Sequence, residues 1–183
     1  MNELIELLIS SVNDEWLSSL AYEVQASMLR GLWRDPIAEH LTEHAEEEEG
    51  HAEKITLHLA ARGVDFEVQL PPLKIGKTIE EMLKIDIQLE IQAIDKYTRI
   101  IQLCEQSPEL KDTQMMIETI LADEVGHCDD HAAFLQTKIK SKEIDLKSAS
   151  WLPMLQKVAN KLDEVGRSEA NNFDELIKNL VQF

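Results

Sequence analysis

Glu48-Glu49-Gly50-His51, matched in pattern by Glu124-Val125-Gly126-His127, is the stretch on which the reading of this chain turns. Each is Glu-x-x-His. On a helix that spacing places the carboxylate and the imidazole on one face, about one turn apart. One such motif arises often by chance. Two of them on separate helices of one bundle are far more specific, because they are half of the recipe for a di-metal site in a bundle core.

The surrounding periodicity makes both segments helical. The first helix is predicted from about Asn2 to Leu29, with Leu4, Leu8, Val12, Tyr22, Ala26 and Leu29 near one stripe, and it stops near Gly31. Asp35-Pro36 supplies an N-cap and a first-turn proline for the second, which runs to about Arg62 and ends at Gly63. Val64 to Thr78, with Pro71-Pro72 and Gly76, suits neither helix nor stable strand and reads as an extended crossover. Such a link joins two parallel neighbouring helices. The third helix runs from about Thr78 to Gln106, and Ser107-Pro108 starts the fourth, which lasts to about Lys140. The expected fold class is therefore all-α: an antiparallel four-helix bundle over residues 1–140 with a long second-to-third crossover. Residues 141–183 form a C-terminal helical extension, with Trp151, Leu155, Val158 and Leu162 on one amphipathic segment and Phe173, Leu176, Ile177 and Leu180 on another.

Bulk composition narrows the function. The 183 residues carry 35 acidic against 18 basic side chains, a formal net charge of -17. That excess argues against a nucleic-acid partner, which needs a basic footprint. It is compatible with attracting cations. No run reaches the length of a membrane-spanning helix. Met1-Asn2-Glu3-Leu4 carries no basic segment before an apolar core, so no secretory signal is expected. Two cysteines make no disulfide framework, and a reducing cytoplasm is the simplest setting.

A di-metal carboxylate site needs one further Glu from each remaining helix. In an antiparallel pair, residues level with each other lie equally far from the turn. Glu90 and Glu124 flank position 107 symmetrically, and Glu15 and His51 flank position 33. Glu23, the other first-helix candidate, would sit ~12 Å along the axis from Glu15 and about 80° off the apolar stripe. Glu15 is therefore chosen. The candidate metal ligands are Glu15, Glu48, His51, Glu90, Glu124 and His127. Carboxylate with imidazole suits iron or manganese, and two carboxylates can bridge two ions. Four buried glutamates otherwise need shared protons, since an unpaired buried charge is costly.

A second polar layer follows from the same helical spacing. His44 precedes Glu48 by one turn, His131 follows His127 by one turn and Asp86 precedes Glu90 by one turn. With the second and third helices parallel, all three fall on one side of the metals, together with Ser19 and Tyr22. Two readings stay open: support that orients the ligands, or a route or additional cation site formed by His44, Asp86 and His131. His40 and His58 read as surface residues. Cys104 lies ~21 Å along the axis from Glu90 and Cys128 adjoins His127, so the two should not meet and read as small core or boundary residues.

With these residues in hand, the chain resembles bacterioferritin over about residues 1–140. The resemblance rests on Asn13-Asp14-Glu15 with Tyr22 seven later, Glu48-x-x-His51, Lys74-Ile75-Gly76, Asp86 with Leu89-Glu90, and Asp123-Glu124-Val125-Gly126-His127. The 33-residue interval from Glu15 to Glu48 also matches the family. The resemblance implies a ferroxidase centre in a ferritin-like homo-oligomeric shell. Two ferrous ions would be oxidised by dioxygen or peroxide, and ferric iron stored inside. By carry-over, Glu48 and Glu124 resemble the bridging carboxylates. Glu15 with His51, and Glu90 with His127, resemble the terminal ligands, and Tyr22 the family's supporting tyrosine. Some positions depart. The family's haem-ligating methionine, directly after the second-helix glutamate, is Glu49 here, so haem is not expected. The inner-surface His and Asp of the family correspond to Glu43 and Glu47. His131 stands where the family usually has an apolar residue, and the tail is longer than the family's short fifth helix.

A rival reading is a dimetal (iron or manganese) redox enzyme of small oligomeric size, such as a peroxidase, catalase-like enzyme or oxygenase. The rubrerythrin-type version is weakened by Ala93, where that group has a further glutamate, and by the lack of a Cys-x-x-Cys segment. A purely structural helical protein leaves the buried glutamates unexplained.

Overall fold

Four helices carry the chain in the computed structural model, which describes residues 2–30 and 34–140. They are α1 (Asn2–Met28), α2 (Arg34–Ala60), α3 (Ile79–Cys104) and α4 (Lys111–Lys140). Among the described residues every regular element is helical, and α1 pairs with α2, α3 with α4 and α1 with α3. This is the expected ferritin-like four-helix bundle with a long link between α2 and α3. The two amphipathic segments read between residues 141 and 183 lie outside the described residues, as does Gly31.

The helix ends follow local chemistry. Gly63 closes α2 with a positive φ of 69°. Its N–H donates to Ala60 O at 2.9 Å, and the Val64 N–H donates to Leu59 O at 3.1 Å. These are the paired bonds of a Schellman cap, which only a residue free of Cβ crowding adopts without strain. At the start of α3, Thr78 Oγ1 accepts from the Glu81 N–H at 3.1 Å while Glu81 Oε2 accepts from the Lys77 N–H at 2.7 Å. Gly76 is required there by close approach, since a Cβ would sit 2.3 Å from Met82 N. Two boundaries differ from expectation. Helix α2 begins at Arg34, which puts Asp35 inside its first turn. The fourth helix is preceded by a separate 3₁₀ turn over Pro108–Leu110, tightened by Leu110 N–H donating to Ser107 O at 3.0 Å.

The core is split in two by a polar middle. One end packs Leu4, Leu8, Val12, Ile55, Leu59, Tyr97, Ile100, Ile117 and Ile120. The other packs Ala21, Tyr22, Leu29, Ile37, Leu41, Ala45 and Met82. The crossover spans both, with Val64 and Phe66 against the first cluster and Leu73 and Ile75 against the second. Midway along it, the Gln69 N–H donates to Asn13 Oδ1 at 2.9 Å, which ties the link to α1. Each fully buried Leu or Ile stabilises the fold by about 1.5–3 kcal/mol. That sum holds rigid a middle layer that would be unfavourable alone.

Candidate metal centre

The middle layer is built from one side chain or motif per helix. Glu15 comes from α1, Glu48 and His51 from α2, Glu90 from α3, and Glu124 and His127 from α4. All six are buried, none more than 3% exposed, whereas Glu23 is exposed. They fall into two overlapping groups whose potential ligand atoms lie within 4.8 Å of one another: Glu15, Glu48, His51 and Glu124; and Glu48, Glu90, Glu124 and His127. Glu48 and Glu124 belong to both. His51 Nδ1 lies 3.0 Å from Glu124, 3.3 Å from Glu15 and 3.4 Å from Glu48. His127 Nδ1 lies 2.9 Å from Glu48 Oε1.

Electrostatics identifies what this layer lacks. Burial and the neighbouring carboxylates, Glu15 foremost, push Glu48 and Glu124 well above the usual carboxylate range. Burial opposes charge on His51, but Glu124 and Glu15 against its ring outweigh that and raise it to about 10. Burial also opposes charge on Glu90, while the His131 and His127 imidazoles beside it hold it down to about 2. Glu48 and Glu124 therefore hold protons that cations would replace. Glu15 Oε2 and Glu124 Oε1 have no hydrogen-bond partner. Buried carboxylate oxygens facing imidazoles are a donor set that could hold metal ions such as iron.

An outer set of residues holds these ligands in place. The Tyr22 hydroxyl donates to Glu90 Oε1 and the Tyr97 hydroxyl donates to Glu15 Oε1. On the far ring nitrogens, His51 Nε2 pairs with Asp123 at 3.2 Å and His127 Nε2 with Glu47 at 2.7 Å. A carboxylate on the second nitrogen fixes tautomer and ring orientation. Tyr97, Asp123 and Glu47 were not singled out as supports in the sequence, yet the internal repeat contains them. Adding 75 to an α1 position gives its α3 counterpart, which takes Glu15 to Glu90 and Tyr22 to Tyr97. Adding 76 takes Glu47, Glu48 and His51 on α2 to Asp123, Glu124 and His127 on α4.

The second polar layer is present with a changed membership. His44 and His131 have ring centroids 5.1 Å apart, and the Tyr22 ring lies 5.3 Å from His131. Asp86 does not join them: its Oδ1 accepts from Gln25 Nε2 at 2.7 Å. Burial pushes the Asp86 carboxyl up, and the Gln25 bond partly counters that. The third member is His40, read from the sequence as a surface residue. Its side chain is only 16% exposed and its ring lies 3.9 Å from that of His44. Burial and the neighbouring His44 and His131 lower His40 to about 4, so it is a neutral imidazole. His58 instead shares a bond with Thr113 at 2.8 Å, outside this layer. Cys104 and Cys128 are buried and free.

The known proteins agree with this architecture. The model of the ferritin-like domain matches residues 5–139. The chain belongs to the ferritin-like family. This ferritin-like chain is 28% identical over 139 residues to a bacterioferritin of Mycolicibacterium paratuberculosis, covering 75% of this chain and 84% of that one. Over 140 residues it is 27% identical to a bacterioferritin of Brucella melitensis, covering 76% and 80%. A solved mycobacterial bacterioferritin superposes with a TM-score of 0.70 at 26% identity, covering 76% of this chain and 87% of that one. A second solved structure, BfrA from M. tuberculosis, gives a TM-score of 0.70 over 76% and 87% at 22% identity, which speaks for the fold alone. No described helix is long and apolar enough to cross a membrane.

Proposed function

We propose that this chain is a ferroxidase that stores iron in a homo-oligomeric shell, as its bacterioferritin relatives' names suggest. The observation that supports it best is the double membership of Glu48 and Glu124 in two ligand groups. Two sites that share two carboxylates hold two ferrous ions at once, one with Glu15 and His51, the other with Glu90 and His127. The ions are substrate here. Each gives one electron to the oxidant: dioxygen takes two electrons and two protons to become peroxide, or peroxide takes them to become water. The protein supplies fixed charge and proton exchange. Seating ferrous ions displaces the protons that burial keeps on Glu48 and Glu124. Tyr22 and Tyr97, whose own pKa values burial raises, stay protonated and keep Glu90 and Glu15 aimed at the ions. Manganese would satisfy the same donors, and with Glu49 at the position of the family's haem-ligating methionine haem is not part of this reading.

The test is light scattering on protein loaded aerobically with excess ferrous iron, with iron counted per chain. A large particle holding many irons per chain is the expected result. A small oligomer that stops at two or three would reject storage. Glu48→Ala with Glu124→Ala should abolish the paired ions, and a retained two-ion stoichiometry would reject the centre itself.

A further inference from the structure

Three pairs of equivalent positions on the bundle's pseudo-repeat are filled unequally. Ile55, Ile100 and Ile120, all fully buried, are the repeat counterparts of His131, Gln25 and His44. The fold therefore accepts plain hydrocarbon at these places. At the polar end, His131 is 0% exposed and neither of its ring nitrogens has a hydrogen-bond partner. His44 Nδ1 and His40 Nε2 are likewise buried without one. Contacts to carboxylates do not satisfy them: His131 Nε2 is 3.7 Å from Glu90 and His40 Nε2 is 4.0 Å from Asp130, while Asp130 approaches His44 at its other nitrogen, Nε2, at 3.8 Å. An orphaned buried polar group loses its hydration with nothing in return. Leaving several together is unfavourable unless something binds them.

We propose that His40, His44 and His131 form a third cation site, separate from the paired-ion centre, for a divalent first-row transition ion. One ligand nitrogen from each ring lies within 4.8 Å of the others. Two imidazole nitrogens on one tetrahedral ion stand about 3.4 Å apart, from a metal–nitrogen bond of about 2.1 Å. Closure by at most about 1.4 Å, within the reach of side-chain rotation, completes the site. Three imidazoles with a fourth position open is a familiar coordination for zinc, and imidazole suits iron and copper equally. Asp130, beside both His40 and His44, is placed to orient the rings.

Access and onward connection are both present. A pocket of about 430 Å³ between α2 and α4 is lined by His40, His44, Glu47, His127 and Asp130 among others. The His44 ring stacks on that of His127 at 4.0 Å. His44, Glu47 and His127 make a further ligand group within 4.8 Å. An ion held by the three histidines thus has a continuous set of donors leading to His127 of the paired centre. The site is a staging point on the way in.

The test is anomalous diffraction from the full chain with a few equivalents of Zn(II). A peak among the three rings is expected in the parent protein, beside two peaks in the paired centre. His40→Ala, the change furthest from that centre, should lose the third peak and keep the pair. Glu48→Ala with Glu124→Ala should do the reverse, so the two assignments fail separately. No density among the rings in the parent protein overturns the proposal, whether or not any variant folds. So does a third peak that survives in His40→Ala.

Discussion

The two ends of the bundle meet the same problem and solve it differently. At each end a tyrosine donates to a glutamate of the paired centre, Tyr97 to Glu15 and Tyr22 to Glu90. Behind Tyr97 stand Ile55, Ile100 and Ile120, fully buried. Behind Tyr22 stand His131 and His44, with Gln25 and Asp86 alongside. The apolar end adds burial energy. The polar end gives it up and leaves ring nitrogens unpaired. Since the fold is stable with hydrocarbon at equivalent places, the polar end reflects function rather than folding. Departures from local consistency concentrate at such sites.

The sharpest way to break this comparison is to move polarity to the wrong end. Ile55→His removes packing and buries an imidazole with no partner, so unfolding in urea should show a loss of about 4 kcal/mol or more. A loss near zero would mean that the apolar end is as tolerant as its counterpart.

The pH response tests the polar middle that the two ends share. The folded pKa values of Glu48 and Glu124 are raised, and so is that of His51, to about 10. Their proton-bound forms stabilise the metal-free fold fully below the ordinary glutamate and histidine values. That contribution is lost as pH rises through the raised ones. Ion binding has the opposite trend, because the ligands must first lose those protons. The difference in unfolding free energy between loaded and metal-free protein should widen from pH 5 to 8, by about 1.4 kcal/mol per pH unit for each proton displaced. A difference that stays flat with pH would show that the carboxylates are already ionised without cations.

The smallest effect sharpens the polar end. His131→Ile installs the residue found at its counterpart position. The stability of the metal-free protein, read by thermal melting, should change by less than about 2 kcal/mol, since relief of a buried unpaired imidazole offsets loss of its 3.7 Å approach to the Glu90 carboxylate. A clear destabilisation would mean that His131 is bound into the fold more tightly than its distances indicate.

Much of this was legible from sequence. Helix period, the Gly63 stop and the Pro71-Pro72 crossover specify a bundle with one long link. Glu-x-x-His spacing and equal distance from the turns pick Glu15 over Glu23, because depth in an antiparallel pair is arithmetic. The same arithmetic placed His44 and His131 in one layer. It failed for Asp86, which sits at the right depth, and for His40, which lies one turn beyond His44. Depth along a helix is set by the rise per residue, but rotation about the axis and inward reach are set by how four helices pack. Asp86 turns to Gln25 on α1, and His40 turns inward under Phe134, whose ring centroid lies 4.8 Å away. Tyr97, Glu47 and Asp123 were hidden for a related reason: each is an ordinary helical residue until a side chain from another helix arrives opposite it.

Sequence by itself determined the helices, their order and the six side chains that converge between them, since these follow from local propensity and one-dimensional spacing. Tertiary structure alone decided which groups are buried without a partner. Desolvation and pairing depend on what other helices bring to the same place, and no spacing within one helix encodes that.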